Sequence, residues 1–276
     1  MFGAIIGDIV GSAYEFCNIK TKAFPLFSPH CDYTDDSLMT IAVAQGLVHP
    51  WADINALKQN IVHSMQTMGQ AYPDPTGAYG GRFSDWLCAS DPQPYGSYGN
   101  GSAMRVSPCG LYAATLEEAL VLAKTSAEVT HNHPEGIKGA QATAAAIFLA
   151  RTGSSKEAIR DHIRENYYPL SQTLDEIRPS YGFDESCQGT VPQAIQAFLE
   201  STSFEDAIRN AISLGGDSDT LGAITGSIAW SYYRAQNSNN LTEAMQRIKE
   251  TAAGYLPGDL AAFADEFDQL CSRKAI

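Results

Sequence analysis

The 276-residue sequence predicts an all-α protein, a compact orthogonal multi-helix fold in one domain over residues 1–276. Three observations carry this. Hydroxyl residues stand at the head of runs whose apolar positions recur at helical spacing. Residues 136–151, GIKGAQATAAAIFLAR, are rich in alanine and apolar nearly all round, as a helix at the centre of a bundle must be. No series of alternating β-branched runs joined by hairpin turns occurs.

The opening MFGAIIGDIVGS is apolar, with Gly7 and Gly11 spaced for close packing of one helix on another. It lacks a basic start and meets Asp8 early, so it is not expected to be a signal peptide. Glu15 falls two turns beyond Asp8 and is expected on roughly the same face. The next helix runs through Leu38, Met39, Ile41, Ala42, Val43, Leu47 and Val48, with Thr34, Asp35 and Asp36 at or just before its first turn. Further on, Thr115 with Glu118 and Ser154 with Glu157 fit the capping box, and Ser203 and Thr242 read as helix caps. About a dozen helices of ordinary length follow from this pattern. Residues 69–82 and 90–101 are rich in Gly, Pro and Tyr, and residues 165–192 hold few helix formers. Loops of that length in a compact domain are usually functional.

Eighteen basic against thirty-one acidic residues give a formal charge of −13. Such a chain repels nucleic acid and acidic lipid, so neither partner is expected. The six cysteines are scattered with no CxxC pair, which suits free thiols in a reducing cytoplasm. No apolar stretch has the length of a membrane span. The expected location is cytoplasmic.

Two segments echo each other. YTDDS (33–37) and GGDSDT (215–220) each place two aspartates and a threonine at the head of an apolar helix. One such motif alone is a helix cap, since acidic first turns complement the helix dipole. Two of them about 180 residues apart suggest more. If the ends meet, four carboxylates share one site, and divalent cations relieve their repulsion. Carboxylates and hydroxyls are hard ligands that suit Mg²⁺, Mn²⁺ or Ca²⁺. Gly222 and Gly226 lie one turn apart in the second helix, where each costs about 1 kcal/mol relative to Ala unless another helix packs closely there. Two alternatives fit less well. An EF-hand loop from Asp217 fails at Leu221 and Ile228, and a DxDxT phosphatase motif needs a threonine at position 221 and a preceding strand.

Two further segments carry polar groups. GNGSAMRVSP (99–108) is a Gly-bearing loop running into a short helix, where Arg105 either meets an anion or braces a carboxylate. THNHPEG (130–136) offers His131 and His133, for which a hydrogen bond to substrate or a structural cap is a better reading than zinc ligation.

Taken in order, GDIVGSAYEF, YTDDS, GNGSAMRVSP, THNHPEG and GGDSDTLGAI resemble the ADP-ribosylglycohydrolase family, related to the dinitrogenase reductase-activating glycohydrolase. The resemblance spans residues 3 to about 230. It implies a binuclear site of two Mg²⁺ (or Mn²⁺) ions held by Thr34, Asp35, Asp36, Asp217, Asp219 and Thr220. It places Gly99, Asn100, Gly101, Ser102, Met104 and His131 along ADP-ribose, and gives Glu15 or Asp36 the handling of protons. The implied reaction is hydrolysis of the glycosidic bond between ADP-ribose and an acceptor, either a protein side chain or a small conjugate. A metal-dependent phosphohydrolase and a non-catalytic, crystallin-like binder of ADP-ribose are the alternatives. Ser37 stands where many relatives carry a second threonine and keeps the hydroxyl. The acceptor and the oligomeric state stay open at this stage.

Overall fold

A computed structural model describes residues 1–274. Fifteen helices span the described residues, and no strand occurs among them. In chain order they are α1 (Phe2–Ser12), α2 (Asp35–Val48), α3 (Ile54–Ala71), α4 (Gly81–Cys88), α5 (Gly101–Met104), α6 (Ser107–Tyr112), α7 (Leu116–Glu128), α8 (Pro134–Arg151), α9 (Lys156–Asn166), α10 (Leu174–Ile177), α11 (Cys187–Leu199), α12 (Phe204–Ile212), α13 (Ser218–Gln236), α14 (Glu243–Ala253) and α15 (Gly258–Lys274). The excess over a dozen comes from short pieces such as α5 and α10, too short for a periodic pattern.

Helix caps lie where hydroxyls head the runs, with two corrections. Thr115 accepts from the Glu118 N–H, but the Glu118 carboxylate reaches back to the Ala114 N–H, so the box is not closed. At α9 the cap is Ser155, one residue later than expected, accepting from Ala158. The one complete capping box, Thr173 with Glu176, sits inside the 165–192 stretch read as loop.

The centre of the molecule is α13, packed by α1, α8, α11 and α12. Helix α1 buries Phe2, Ile5, Ile6, Ile9 and Val10 completely, and each such side chain contributes about 2 kcal/mol. The expected close approach is real. Gly3 faces Gly226, Gly7 faces Gly222 and Gly11 faces Ser218, and a Cβ on any of these glycines would fall within 3.0 Å of the opposite backbone. The order of these pairs makes α1 and α13 antiparallel. The end of α1 therefore lies beside the start of α13. Helix α8 is the alanine-rich helix and buries Gly139, Ala140, Ala142, Ala144, Ala145 and Ala146. No disulfide joins the six cysteines among the described residues; Cys17 and Cys88 are exposed and the other four buried. No helix among the described residues is long and apolar enough to cross a membrane.

Candidate active site

Asp8 sits in the apolar core of α1, fully buried, at the point where α2 begins. Its carboxylate accepts from Thr34 N (3.0 Å), Thr34 Oγ1 (2.7 Å), Ser37 N (3.1 Å) and Ser37 Oγ. Burial pushes its carboxyl up to about 6, against the lowering effect of those four bonds. The head of α2 is thus pinned to α1 through a buried carboxylate. Thr34 is the N-cap of α2: its Oγ1 accepts from Asp36 N at 3.1 Å while donating to Asp8. With two partners already, that oxygen keeps one lone pair, and Thr34 does not line the cleft described next.

One cleft of about 1,050 Å³ collects every other expected site residue except Ser102. Asp35 and Asp36 project from the first turn of α2, Asp217 stands at the N-cap position of α13 with no capping bond from its side chain, and Asp219 and Thr220 occupy the first turn. Thr220 Oγ1 donates to Asp36 Oδ2 at 3.4 Å, so the two motifs meet across the cleft. Asn100 Nδ2 donates to Asp217 Oδ2 at 2.6 Å and to Thr190 Oγ1 at 3.0 Å. Gly215 and Gly216, at φ +68° and +77°, turn the chain sharply before Asp217.

The expected continuation of α1 to Glu15 does not occur. The helix ends at Ser12, where the chain turns, so Glu15 reaches the cleft from a turn and not from a shared helical face with Asp8.

The electrostatics follow from burial of like charges. Asp35 is raised to about 8, by burial first and then by the charges of Asp8, Asp217 and Glu15. Asp36 is raised well above the usual range by burial, then by Asp8, Asp35 and Asp217. Asp219 is raised in the same way by burial and by Asp217 and Asp36. Glu15 is raised to about 7 by burial, then by Asp217 and Asp8. Asp36 Oδ1 and Asp219 Oδ1 are buried with no hydrogen-bond partner. Among the described residues, no three His, Cys, Asp or Glu side chains converge closely enough to hold a metal ion as they stand. The donor set nevertheless fits hard divalent cations. Its free atoms are carboxylate oxygens, two of them buried and unsatisfied, and positive charge is what their repulsion lacks.

The cleft lining also includes cations, Arg82 and Arg105. Arg105 is buried and forms no ion pair among the described residues. Its Nη2 donates to Thr130 Oγ1 (2.6 Å) and Ser126 O (3.4 Å), while Nε has no partner. Burial pulls it down only to about 10, so it stays charged at neutral pH. The same Thr130 hydroxyl lies 2.7 Å from His131 Nδ1. Having accepted from Arg105, it has its proton free for Nδ1, which leaves the His131 Nε2 proton for the cleft. That nitrogen faces Gly99 and Gly101. Burial, with Arg105 and Arg82, holds His131 well below its ordinary value, so the ring is neutral. Arg82 lies over the Tyr95 ring at 4.6 Å.

Ser102, expected along the ligand, and His133, read as a contact or a cap, both hold scaffold positions. Ser102 is fully buried and donates to Gly136 O at 2.7 Å, tying α5 to α8. His133 caps α8 through Nδ1, which accepts from Glu135 N at 3.1 Å. Several cleft residues left no usable mark in the sequence. Tyr79, Arg82, Tyr95, Tyr98 and Phe183 all line it; they come from the stretches at 69–82, 90–101 and 165–192, with Arg82 in the first turn of α4. Asp8 did leave a mark: a lone carboxylate within an otherwise apolar helix needs a buried partner.

An antiparallel helix pair that brings two acidic helix heads together in a cleft also lined by arginines defines an all-α protein with an acidic ligand cleft. The ADP-ribosylglycohydrolase family model matches residues 1–274. The chain belongs to the ADP-ribosylglycohydrolase family. It is 26% identical over 310 aligned residues to ADP-ribosylhydrolase ARH3 of Mus musculus, covering 84% of this chain and 82% of that protein. It is 28% identical over 264 residues to ADP-ribosylarginine hydrolase Tri1 of Pseudomonas putida (strain GB-1), covering 84% and 69%. A solved structure named as an ADP-ribosylglycohydrolase-related protein complex superposes with a TM-score of 0.68 over 98% of this chain and 95% of that one, at 23% identity. That last likeness speaks to the fold.

Proposed function

We propose that the protein hydrolyses the glycosidic bond between ADP-ribose and an acceptor, releasing free ADP-ribose, with two Mg²⁺ or Mn²⁺ ions bound in the cleft. The observation that carries this is that one cavity holds the two acidic helix heads together with two arginines and a neutral histidine. Five carboxylates (Glu15, Asp35, Asp36, Asp217, Asp219) line it together with Arg82, Arg105 and neutral His131, with Asp184 and Glu185 also in its lining. ADP-ribose can use both kinds of group, with an anionic diphosphate at its middle for the cations and an uncharged ribose at its end for metal-bound carboxylates. The relatives named as ADP-ribosylhydrolase and ADP-ribosylarginine hydrolase support the same substrate class.

In this reading Asp35, Asp36, Asp217, Asp219 and Thr220 hold the ions, and Thr34 acts as the cap that fixes α2. When bound, the ions supply Lewis acidity toward ribose hydroxyls and water. The chain does the rest. Asp8 fixes the head of α2 by its four hydrogen bonds. Asn100 orients Asp217 through its 2.6 Å bond. Arg105 and the Nε2–H of His131 meet the diphosphate, where a charge-assisted bond is about twice as strong as a neutral one. Glu15 and Asp36 are the groups placed to take up or give a proton where the acceptor leaves or water enters. The exposed rings of Phe16, Tyr98 and Phe183 stand at the cleft mouth and shape what else can enter.

Incubation with ADP-ribosylated arginine and serine peptides in Mg²⁺ tests this. Release of ADP-ribose that EDTA abolishes is the expected result. Phosphate release from simple esters with no ADP-ribose would replace the reading with a phosphohydrolase. Ligand binding without turnover would replace it with a non-catalytic binder.

A further inference from the structure

The two acidic halves of the cleft are joined by more than the helix pair. Asn18, on the exposed segment after α1, reaches across 198 positions of sequence to the turn before Asp217. Gly216 N donates to Asn18 Oδ1 at 2.6 Å, and Asn18 Nδ2 donates to Gly216 O at 2.9 Å. The side chain thus closes on both polar groups of one residue. Because the Gly216 N–H must meet an acceptor, the carboxamide has only one workable orientation, with Nδ2 toward the carbonyls. The same Nδ2 also donates to Tyr14 O (2.7 Å) and Glu15 O (2.8 Å), the turn that presents Glu15. Two residues later, Lys20 Nζ donates to Leu214 O and to Tyr181 O (2.6 Å).

We propose that Asn18 is a positioning residue that sets the spacing of Glu15 and Asp217 by tying the Tyr14–Glu15 turn to the Gly215–Gly216 turn. This rests on the reading of the cleft as a hydrolase site. The chemistry is specific to a carboxamide of this length. Aspartate keeps the acceptor and loses every donor. Alanine loses both, and glutamine is one methylene too long for the same two-point pairing. The turn it holds needs holding. Gly215 and Gly216 both have positive φ, and two glycines in succession lose more conformational freedom on ordering than any other pair. A displacement of about 1 Å at a catalytic group costs on the order of a hundredfold in rate.

The experiment compares wild type, Asn18→Ala and Asn18→Asp in three measurements: hydrogen exchange of the Gly216 amide, Mn²⁺ affinity, and kcat and KM for release of ADP-ribose. In Asn18→Ala the Gly216 amide is expected to lose its protection while α8 and α11 keep theirs. Mn²⁺ affinity falls severalfold. The kcat drops about ten- to a hundredfold with KM within about threefold, because Arg105 and His131 are untouched. Asn18→Asp restores protection of the Gly216 N–H without restoring kcat. Unchanged exchange at Gly216 in Asn18→Ala overturns the tie, and so does an Asn18→Asp enzyme as fast as wild type. If wild type releases no ADP-ribose, the hydrolase reading falls on its own. Exchange and Mn²⁺ affinity then still decide whether Asn18 sets the turn.

Discussion

Gly7 of α1 and Gly222 of α13 stand so close that a Cβ on either would lie within 3.0 Å of the other's backbone. This approach sets the whole site, because it fixes how far the end of α1 lies from the start of α13. Gly7→Ala and Gly222→Ala must push the helices apart. Each should cost about 3 kcal/mol, the upper end for overpacking a core, read from the urea midpoint. Gly258→Ala, where nothing lies within 4 Å, is the control and should change stability little. Equal midpoints for all three would show that the helix pair yields freely.

Metal-free protein should lose stability as pH rises. Asp35 has a folded value of about 8 and Asp8 of about 6, both above the ordinary aspartate value of 3.8. Between those limits the folded state binds more protons than the unfolded state, so the free energy of unfolding falls with pH. The contribution of these groups is complete below about pH 4 and gone above about pH 8. In EDTA the Tm is therefore expected to fall between pH 5.5 and 8, and millimolar Mn²⁺ should remove most of that fall. A flat metal-free profile would mean the carboxylates do not repel as their burial implies.

Asp36→Asn separates stability from activity. The substitution keeps shape and removes one of several buried like charges. In EDTA at pH 8 the variant should melt a few degrees higher, about 2–4 °C per kcal/mol for a chain of this size. It should lose stabilisation by Mn²⁺ and release ADP-ribose at least about a hundredfold more slowly. A variant that is both less stable without metal and fully active would refute the assignment of Asp36.

Arg105→Met probes the cationic part of the cleft lining. The arginine forms no ion pair among the described residues, so removing its charge also removes a desolvation cost and the fold should survive. Affinity for ADP-ribose, measured by calorimetry, should weaken about ten- to a hundredfold, the worth of a charge-assisted hydrogen bond or two. Affinity equal to wild type would place the diphosphate elsewhere.

The helical class, most helix starts and both acidic motifs were legible because each is a local pattern. A cap and its run need only a few adjacent residues. Glu15 lies in the cleft but not on a helical face shared with Asp8, since nothing nearby in the sequence marks that α1 stops at Ser12. Ser102 and Thr34 carry site-like residue types, yet their hydroxyls are turned to Gly136 and Asp8. A side chain's direction depends on its neighbours in space. The complete capping box at Thr173 was hidden in a stretch whose composition reads as loop.

By itself the sequence determined that the chain is helical, that two acidic helix heads exist, and which residue types they offer. Periodicity, capping and motif spacing act over a few residues and need no knowledge of the rest. Only the tertiary structure decided that the heads meet, that Asp8 pins one of them to α1, and that Arg105 lines the same cleft. Those facts depend on two glycine-lined helices lying antiparallel in contact, which brings residues some two hundred positions apart to hydrogen-bonding distance. Burial then makes their charges act on one another, and that interaction has no counterpart in an extended chain.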